Sequence, residues 1–155
     1  MSKQLRQEDI LPRPEVYEME MRYFPWGELI EEVAKCVIER APQNGKVIDL
    51  MCGTGFLLAK IGISRPDLEL IGIDINETYV DYANDHHRQE RDSSITRFLV
   101  GDALEEFEES THCDVVVCTG GLHHLPYENQ PRLLAVMRDY LKNDGLAIIA
   151  DPYTR

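Results

Sequence analysis

The sequence predicts an α/β fold in which helices cover both faces of a doubly wound, mainly parallel β-sheet. From residue 47 onward, short apolar runs alternate with longer amphipathic segments, the order expected of successive β-α-β units. The apolar runs are nearly continuous in Val, Ile and Leu, which is typical of strands buried on both faces. Ligands of such sheets bind beyond the carboxyl ends of the strands, so the residues that follow each run are the candidates for function.

Five strands and three helices account for the chain beyond residue 46. The apolar runs predict strands at 47–50, 68–74, 96–100, 114–118 and 146–150. Helical periodicity predicts helices at 56–61, 77–91 and 130–141. Asn143-Asp144-Gly145 supplies a turn between the last helix and the last strand. Right-handed crossovers between such strands distribute the helices over both faces of the sheet.

A helical segment is expected ahead of the sheet. Apolar spacing predicts one helix within 16–24 and a second over 28–40, separated by a break at Pro25-Trp26-Gly27. Residues 1–45 are therefore interpreted as a helical cap, and residues 46–155 as the ligand-binding part of a single-domain chain. Four aromatic residues of the cap either cover a ligand cleft or pack on the sheet. They are Tyr17, Tyr23, Phe24 and Trp26.

Composition disfavours several classes of partner. The formal net charge is −12, from 28 acidic and 16 basic residues, and the basic residues form no patch. That field repels nucleic-acid phosphates, so no nucleic-acid partner is expected. No run approaches the ~20 apolar residues of a membrane helix, and the polar start argues against a secretory signal. The four cysteines form no Cys-x-x-Cys pair, which indicates free thiols and a cytoplasmic protein.

The turn after the first strand carries the first group of candidate ligand-binding residues. Asp49 lies near the strand end, and the Gly53-x-Gly55 sequence lets the backbone turn sharply and approach a ligand. A dinucleotide would bring a pyrophosphate here, where it would face the like charge of Asp49. The third glycine of the dinucleotide-binding fingerprint is also replaced by Leu58. Both features argue against a nicotinamide-dependent oxidoreductase, the least favoured of three function classes.

Acids also follow the second and third strands. Asp74 lies 19 residues beyond Gly55, where an acid can accept hydrogen bonds from ribose hydroxyls; alternatively, it caps the next helix. Asp102 can accept a hydrogen bond from an adenine amino group while the Ala103 N–H donates to the ring. The alternative is an ordinary turn. Carboxylates at strand ends attract the ammonium and sulfonium groups of S-adenosylmethionine, which favours this cofactor over NAD.

In order and spacing, these segments resemble the motifs of class I S-adenosylmethionine-dependent methyltransferases. The likeness covers residues 30–151, and it implies a Rossmann-like sheet of strand order 3-2-1-4-5 and transfer of the cofactor's methyl group. The fourth strand and its loop, 114–125, resemble the family segment that lies beside donor and acceptor. The cofactor contacts implied by the resemblance are Asp49, Met51, Cys52, Gly53, Gly55, Asp74, Ile75, Asp102, Ala103, Thr119 and Gly120.

The sequence departs from the family pattern in two places. Met51 stands where family members often have glycine, which leaves the course of that loop open. Family members also continue past the fifth strand with a helix and two further strands, whereas this sequence ends at Arg155. The fifth strand is therefore expected at an apolar edge of the sheet. Further chain, the amino-terminal helices or a second subunit would cover it, and a homodimer through this edge is a hypothesis.

Two histidines after the fourth strand are the candidate catalytic residues. His123 and His124 are candidate general bases because histidine titrates near neutral pH; alternatively, they pack beside the cofactor or cap the following helix. Asp151 and Tyr153 are candidates for the acceptor site. Adjacent histidines point in different directions, so no metal site is expected. The predicted function is methyl transfer to a small-molecule acceptor, and the alternative is a protein that binds the cofactor without catalysis.

Overall fold

The fold is described by a computed structural model that covers residues 11–91, 94–105, 107 and 112–151. These residues form the helices α1 Pro14–Glu20, α2 Trp26–Arg40, α3 Phe56–Ser64, α4 Glu77–His87 and α5 Gln130–Tyr140. They form the strands β1 Lys46–Leu50, β2 Glu69–Asp74, β3 Gln89–Arg91, β4 Ser94–Val100, β5 Cys113–Thr119 and β6 Leu141–Ala150. Two single turns of 3₁₀-helix, Leu122–His124 and Tyr127–Asn129, lie between β5 and α5.

The strands form one sheet in the order β3-β4-β2-β1-β5-β6. All neighbouring pairs are parallel except β3 with β4, which is antiparallel. With the short strand β3 set aside, the five predicted strands lie in the order 3-2-1-4-5, which confirms the predicted fold class. Because the strands are parallel, the residues after β1, β2, β4, β5 and β6 all meet at one edge of the sheet.

Helices pack on both faces of the sheet. On one face α2, α3 and α4 share a core with alternate strand residues such as Val47 and Leu70. On the other face α5 packs against the intervening residues, such as Ile48 and Ile71. Successive side chains of a strand point to opposite faces, so each buried apolar run contributes to both cores. Since α2 belongs to the same core as the sheet, the amino-terminal helices help to hold the strand ends in place.

The first helix ends at Glu20, and α2 already begins at Trp26, inside the predicted break at 25–27. Two further predicted boundaries differ from the structure because of strand pairing. The helix predicted over 77–91 ends at His87, because Arg88 takes an extended conformation and residues 89–91 then bond to β4. The predicted turn at 143–145 does not precede the last strand but lies inside β6. There the register shifts, since Leu141 pairs with Cys113 whereas Leu146 pairs with Val115. In both cases pairing with a neighbouring strand overrides the local helix or turn preference.

Strand β6 forms one of the two edges of the sheet. This strand pairs only with β5 among the described residues, and Ile149 keeps 41% of its surface exposed. Side chains on the opposite face of β6, such as Ile148, pack against the core that contains α2. Pairing of this edge with a second copy stays a prediction, as does the division of the chain at residue 45. None of the described helices is long and apolar enough to span a membrane.

Candidate active site

Two cavities lie at the carboxyl edge of the sheet and share Tyr17, Met51 and Gly120 as walls. The larger has a volume of about 220 Å³ and is also lined by Gly53, Asp74, Ile75 and His124. The smaller, of about 30 Å³, is also lined by Asp49, Cys52, Thr54 and Thr119. Nine of the predicted site residues therefore line two adjoining cavities at the ends of β1, β2 and β5. A region of this kind is where open α/β sheets bind ligands.

The turn between β1 and α3 depends on left-handed backbone conformations. Met51 has φ +60°, and Gly53 and Gly55 have φ +57° and +80°. Glycine adopts this region without steric cost, whereas a residue with a side chain, such as Met51, is strained there. A Cβ at Gly53 would lie 2.9 Å from the Tyr17 ring, and one at Gly55 would overlap the Phe98 ring. Gly55 lines neither cavity, so its contribution to the site is to bring α3 close to β4.

Asp74 is held at the end of β2 by backbone donors. Its Oδ2 accepts a hydrogen bond from the Gly53 N–H at 2.8 Å, and its Oδ1 accepts one from the Asn76 N–H at 2.9 Å. Burial raises the pKa of Asp74, while these two hydrogen bonds oppose the shift. The helix cap of α4 is Asn76, whose Oδ1 accepts from the Tyr79 N–H at 3.2 Å. Asn76, and not Asp74, is therefore the residue that caps α4.

Asp49 is a buried carboxylate with an unpaired oxygen. Only 2% of the residue is exposed, and its Oδ1 has no hydrogen-bond partner among the described residues. Burial raises the pKa of this carboxyl well above its usual value, and the charge of Asp74 raises it further. The hydroxyls of Thr54 and Thr119 also lack partners and line the same small cavity. Buried polar groups are normally paired, so three unpaired ones around one cavity indicate a site for a polar ligand.

Asp102 and Ala103 line neither of the two cavities. The Oδ1 of Asp102 accepts a hydrogen bond from the Leu104 N–H at 2.9 Å, which is the turn geometry considered as the alternative. Ala103 is 5% exposed and packs in the core beneath α5. Adenine recognition by these two residues stays a prediction.

The two histidines after β5 occupy different environments. His124 lines the larger cavity, and burial together with the neighbouring His123 lowers its pKa. His123 lies outside the cavity, with its Nδ1 2.6 Å from Oδ1 of Asp151. Its ring also stacks against Trp26, with centroids 6.1 Å apart. His124 is therefore the histidine placed to contact a ligand, whereas His123 is held by Asp151. Tyr153 lies outside the described residues.

The aromatic residues of the amino-terminal segment divide between the two predicted alternatives. Tyr17 lines both cavities and Trp26 lines the smaller one, whereas Tyr23 and Phe24 are 67% and 80% exposed. Sequence reasoning missed four other residues of the larger cavity. They are Leu11, Asn76, Tyr79 and Gly121. Asn76 and Tyr79 could have been predicted, because the first turn of the helix that follows Asp74 lies at the same edge of the sheet as Asp74. Leu11 carries no such signal.

Comparison with known proteins agrees with this geometry. The family model described as "Methyltransferase domain" matches residues 47–145. The chain belongs to this methyltransferase family. The match and the strand order confirm the resemblance to class I S-adenosylmethionine-dependent methyltransferases, and S-adenosylmethionine is the cofactor. The three unpaired groups of Asp49, Thr54 and Thr119 fit that molecule, because its ammonium supplies hydrogen-bond donors and its positive charges suit buried carboxylates.

The individual proteins that match this chain have low sequence identity to it. Release factor glutamine methyltransferase of Thermodesulfovibrio yellowstonii is 29% identical over 100 residues, which make up 64% of this chain and 32% of that protein. The chain spans 32% to 43% of the length of the curated relatives it matches. A TehB-like S-adenosylmethionine-dependent methyltransferase of Corynebacterium glutamicum is 25% identical with a TM-score of 0.64, covering 88% of this chain and 71% of that one.

A further solved structure shows the fold alone. It is the sugar N-methyltransferase KedS8 of a Streptoalloteichus species, which is 21% identical with a TM-score of 0.71. The alignment covers 99% of this chain and 60% of that one. The similarity therefore extends through the amino-terminal helices as well as the sheet.

Proposed function

We propose that this chain transfers the methyl group of S-adenosylmethionine to a small-molecule acceptor. The observation that carries the proposal is the unpaired, buried carboxylate of Asp49, on the same edge of the sheet as Asp74 and His124. When bound, the cofactor supplies a methyl group activated by its sulfonium. The protein then has to bind the two reactants in line, exclude water and accept a proton where the acceptor carries one.

The cofactor-binding roles follow from the polar groups around the two cavities. Asp49 and the Thr119 hydroxyl would receive the ammonium of the methionine part, because each has an unpaired oxygen there. Asp74 would accept from the ribose hydroxyls, since its carboxylate is already oriented by two backbone N–H groups. Gly53 and Gly120 leave room for the cofactor between these groups, because a Cβ at either would crowd Tyr17 or Trp26.

His124 is the proposed proton acceptor. A lowered pKa keeps its imidazole neutral at pH 7, and only the neutral ring can accept a proton from an oxygen or nitrogen acceptor. His123 would assist indirectly, since its contact with Asp151 holds the ring beside His124, with centroids 4.0 Å apart.

A small acceptor is supported by the net charge of the chain and by a protein of the same fold. The net charge of −12 opposes binding of nucleic acid. The protein KedS8 named above shares the fold and is, by its name, a sugar N-methyltransferase. The four cysteines are free thiols, which supports a reducing compartment such as the cytoplasm for this chain.

Formation of S-adenosylhomocysteine tests the proposal. The full chain is incubated with S-adenosylmethionine and a panel of small amines and alcohols, with a glutamine-containing peptide and a transfer RNA as competing acceptor classes. We expect turnover with a small acceptor, a loss of about 100-fold in kcat for His124→Gln, and little change for His86→Gln. His86 is the matched control because it lies exposed on α4.

Three results would contradict the proposal. Turnover with the peptide or the RNA alone would assign a macromolecular acceptor. Tight binding of S-adenosylhomocysteine without turnover on any acceptor would favour the non-catalytic binding protein. Binding of NAD in preference to S-adenosylhomocysteine would favour the oxidoreductase.

A further inference from the structure

Helix α1 places an aromatic side chain directly over the glycine turn. Tyr17 lines both cavities, and its ring is the nearest group to the position of a Cβ on Gly53. Its ring centroid lies 4.8 Å from that of Tyr79, which also lines the larger cavity. Burial, followed by the charge of Asp74, raises the pKa of Tyr17, so its hydroxyl stays protonated and able to donate a hydrogen bond. Tyr17 therefore forms the wall of the site that belongs to the amino-terminal segment.

The position of α1 cannot be set by the helix itself. It has seven residues and no side-chain hydrogen bond at its amino-terminal cap. Isolated helices of this length are unstable in water, so tertiary contacts have to hold it. One contact is the hydroxyl of Tyr79, which donates to the Pro12 carbonyl at 2.8 Å, just before α1. The second contact lies in the last turn of α1 and involves Glu18.

Glu18 is a buried carboxylate that joins α1 to the end of α4. The residue is 4% exposed, and its Oε2 lies 2.7 Å from Nε2 of His87, the last residue of α4. Its Oε1 accepts a hydrogen bond from Arg22 at 3.0 Å. Glu18 directly follows Tyr17, and neighbouring residues of a helix point about 100° apart. The same turn of α1 thus presents one side chain to the cofactor region and the other to α4.

Burial of this carboxylate has a cost that an apolar residue would avoid. Desolvation of a carboxylate opposes folding, and paired charges often do no better than an apolar packing of the same volume. The pair instead fixes the position of α1, because a hydrogen bond between two particular atoms specifies how far along α4 the helix α1 lies. Apolar contacts alone would allow α1 to slide.

We propose that Glu18 is a positioning residue, which uses its contact with His87 to hold Tyr17 over the cofactor site. Loss of the contact would let α1 move and would weaken cofactor binding, although neither Glu18 nor His87 lines either cavity. The inference depends on the cofactor and not on the identity of the acceptor. It is therefore tested separately from the proposed function.

Binding of S-adenosylhomocysteine by titration calorimetry, together with the melting temperature, tests the inference on the full chain. Glu18→Gln removes the charge that both His87 and Arg22 contact, whereas His87→Leu removes the His87 contact alone. Each should weaken binding about tenfold, the effect expected from weakening a charge-assisted hydrogen bond. His87→Gln, which keeps a donor of similar reach, should retain most of the affinity. Asp67→Asn is the control because it breaks an ion pair with Arg65 (2.7 Å) just before β2, at the opposite edge of the sheet. It should lower the melting temperature and leave the affinity unchanged.

A double-mutant cycle with Tyr17→Ala separates positioning from general stability. If Glu18 acts through Tyr17, Glu18→Gln should have little further effect once the tyrosine side chain is absent. An equal tenfold loss in the Tyr17→Ala background would overturn the inference. An unchanged affinity in both Glu18→Gln and His87→Leu would also overturn it, as would an equal loss of affinity in Asp67→Asn. Should Glu18→Gln fail to fold, His87→Leu completes the same cycle.

Discussion

The two sides of strand β1 build the site in different ways. On the β2 side, the carboxylate of Asp74 is bonded to two backbone N–H groups, and Asn76 caps the next helix. On the β5 side, the Thr119 hydroxyl has no partner in the part of the chain that the structure describes, and His124 faces an open cavity. Asp49, on β1 itself, resembles the residues of the β5 side, because one of its oxygens also lacks a partner among the described residues. The β2 side is thus complete within the protein, whereas the β5 side is completed by a ligand.

On the β2 side, a substitution should therefore lower both the stability of the protein and its affinity for the ligand. On the β5 side, it should lower the affinity but raise the stability. A substitution on the β2 side removes an acceptor that the backbone needs and a group that the ligand needs. A substitution of an unpaired buried group removes a desolvation cost from the ligand-free protein while it weakens binding. Three substitutions or measurements, taken from the largest expected effect to the smallest, sharpen the comparison.

Asp74→Ala should have the largest effect. We expect the affinity for S-adenosylhomocysteine to fall by about 100-fold, because two charge-assisted hydrogen bonds to the ribose are lost. The melting temperature should fall as well, since the N–H groups of Gly53 and Asn76 lose their acceptor. Titration calorimetry and thermal unfolding measure the two effects. Asp81→Ala, at an exposed position on α4, is the control. An affinity of Asp74→Ala equal to that of the unmodified chain would refute the ribose role of Asp74.

Asp49→Asn should weaken binding by about tenfold and yet stabilise the ligand-free protein. The pKa of Asp49 is raised above 3.8 in the fold, so the ionised form is disfavoured there. Each unit of the shift costs about 1.4 kcal/mol at pH values above the folded pKa, and the cost disappears as the pH falls below 3.8. The variant should therefore be the more stable at pH 7, with the difference shrinking in acid.

Urea unfolding across this pH range, paired with calorimetric titration, measures both effects of Asp49→Asn. Thr54→Val, which removes an unpaired hydroxyl from the small cavity, tests whether the gain in stability extends to the neighbours of Asp49. A loss of both affinity and stability in Asp49→Asn would place Asp49 with the β2 side and remove the distinction.

The titration of His124 is the smallest effect expected. Burial lowers its pKa below 6.5, so the imidazole stays neutral to a lower pH in the fold than in the unfolded chain. The stability that it contributes is present above pH 6.5 and is lost as the pH falls through the folded pKa. NMR titration of the ring protons, with the resonance assigned by its absence in His124→Gln, gives the value. A pKa above 6.5 would mean that His124 is charged near pH 6 and unsuited to accept a proton there.

Much of the site could be predicted because its signals are local. Asp74 and the glycines follow apolar runs, and parallel pairing brings all strand ends to one edge once the strands are recognised. The unpaired state of Asp49 could not be predicted, because it depends on groups from β1, α3 and β5 that are distant in sequence. Nor could the choice of Tyr17 over Phe24 as a wall of the cavity, since both belong to the same aromatic segment.

The sequence alone indicated five of the six strands, the helices between them, the positions of the carboxylates and the resemblance to the family, because these depend on local periodicity and on the spacing of motifs. Tertiary structure decided the rest. It ended α4 at His87 through pairing of β3 with β4, and it placed the predicted turn inside β6. It also joined Glu18 to His87 across 69 residues of chain. Such contacts form only when packing offsets the entropy of ordering distant segments, and no local pattern records that balance.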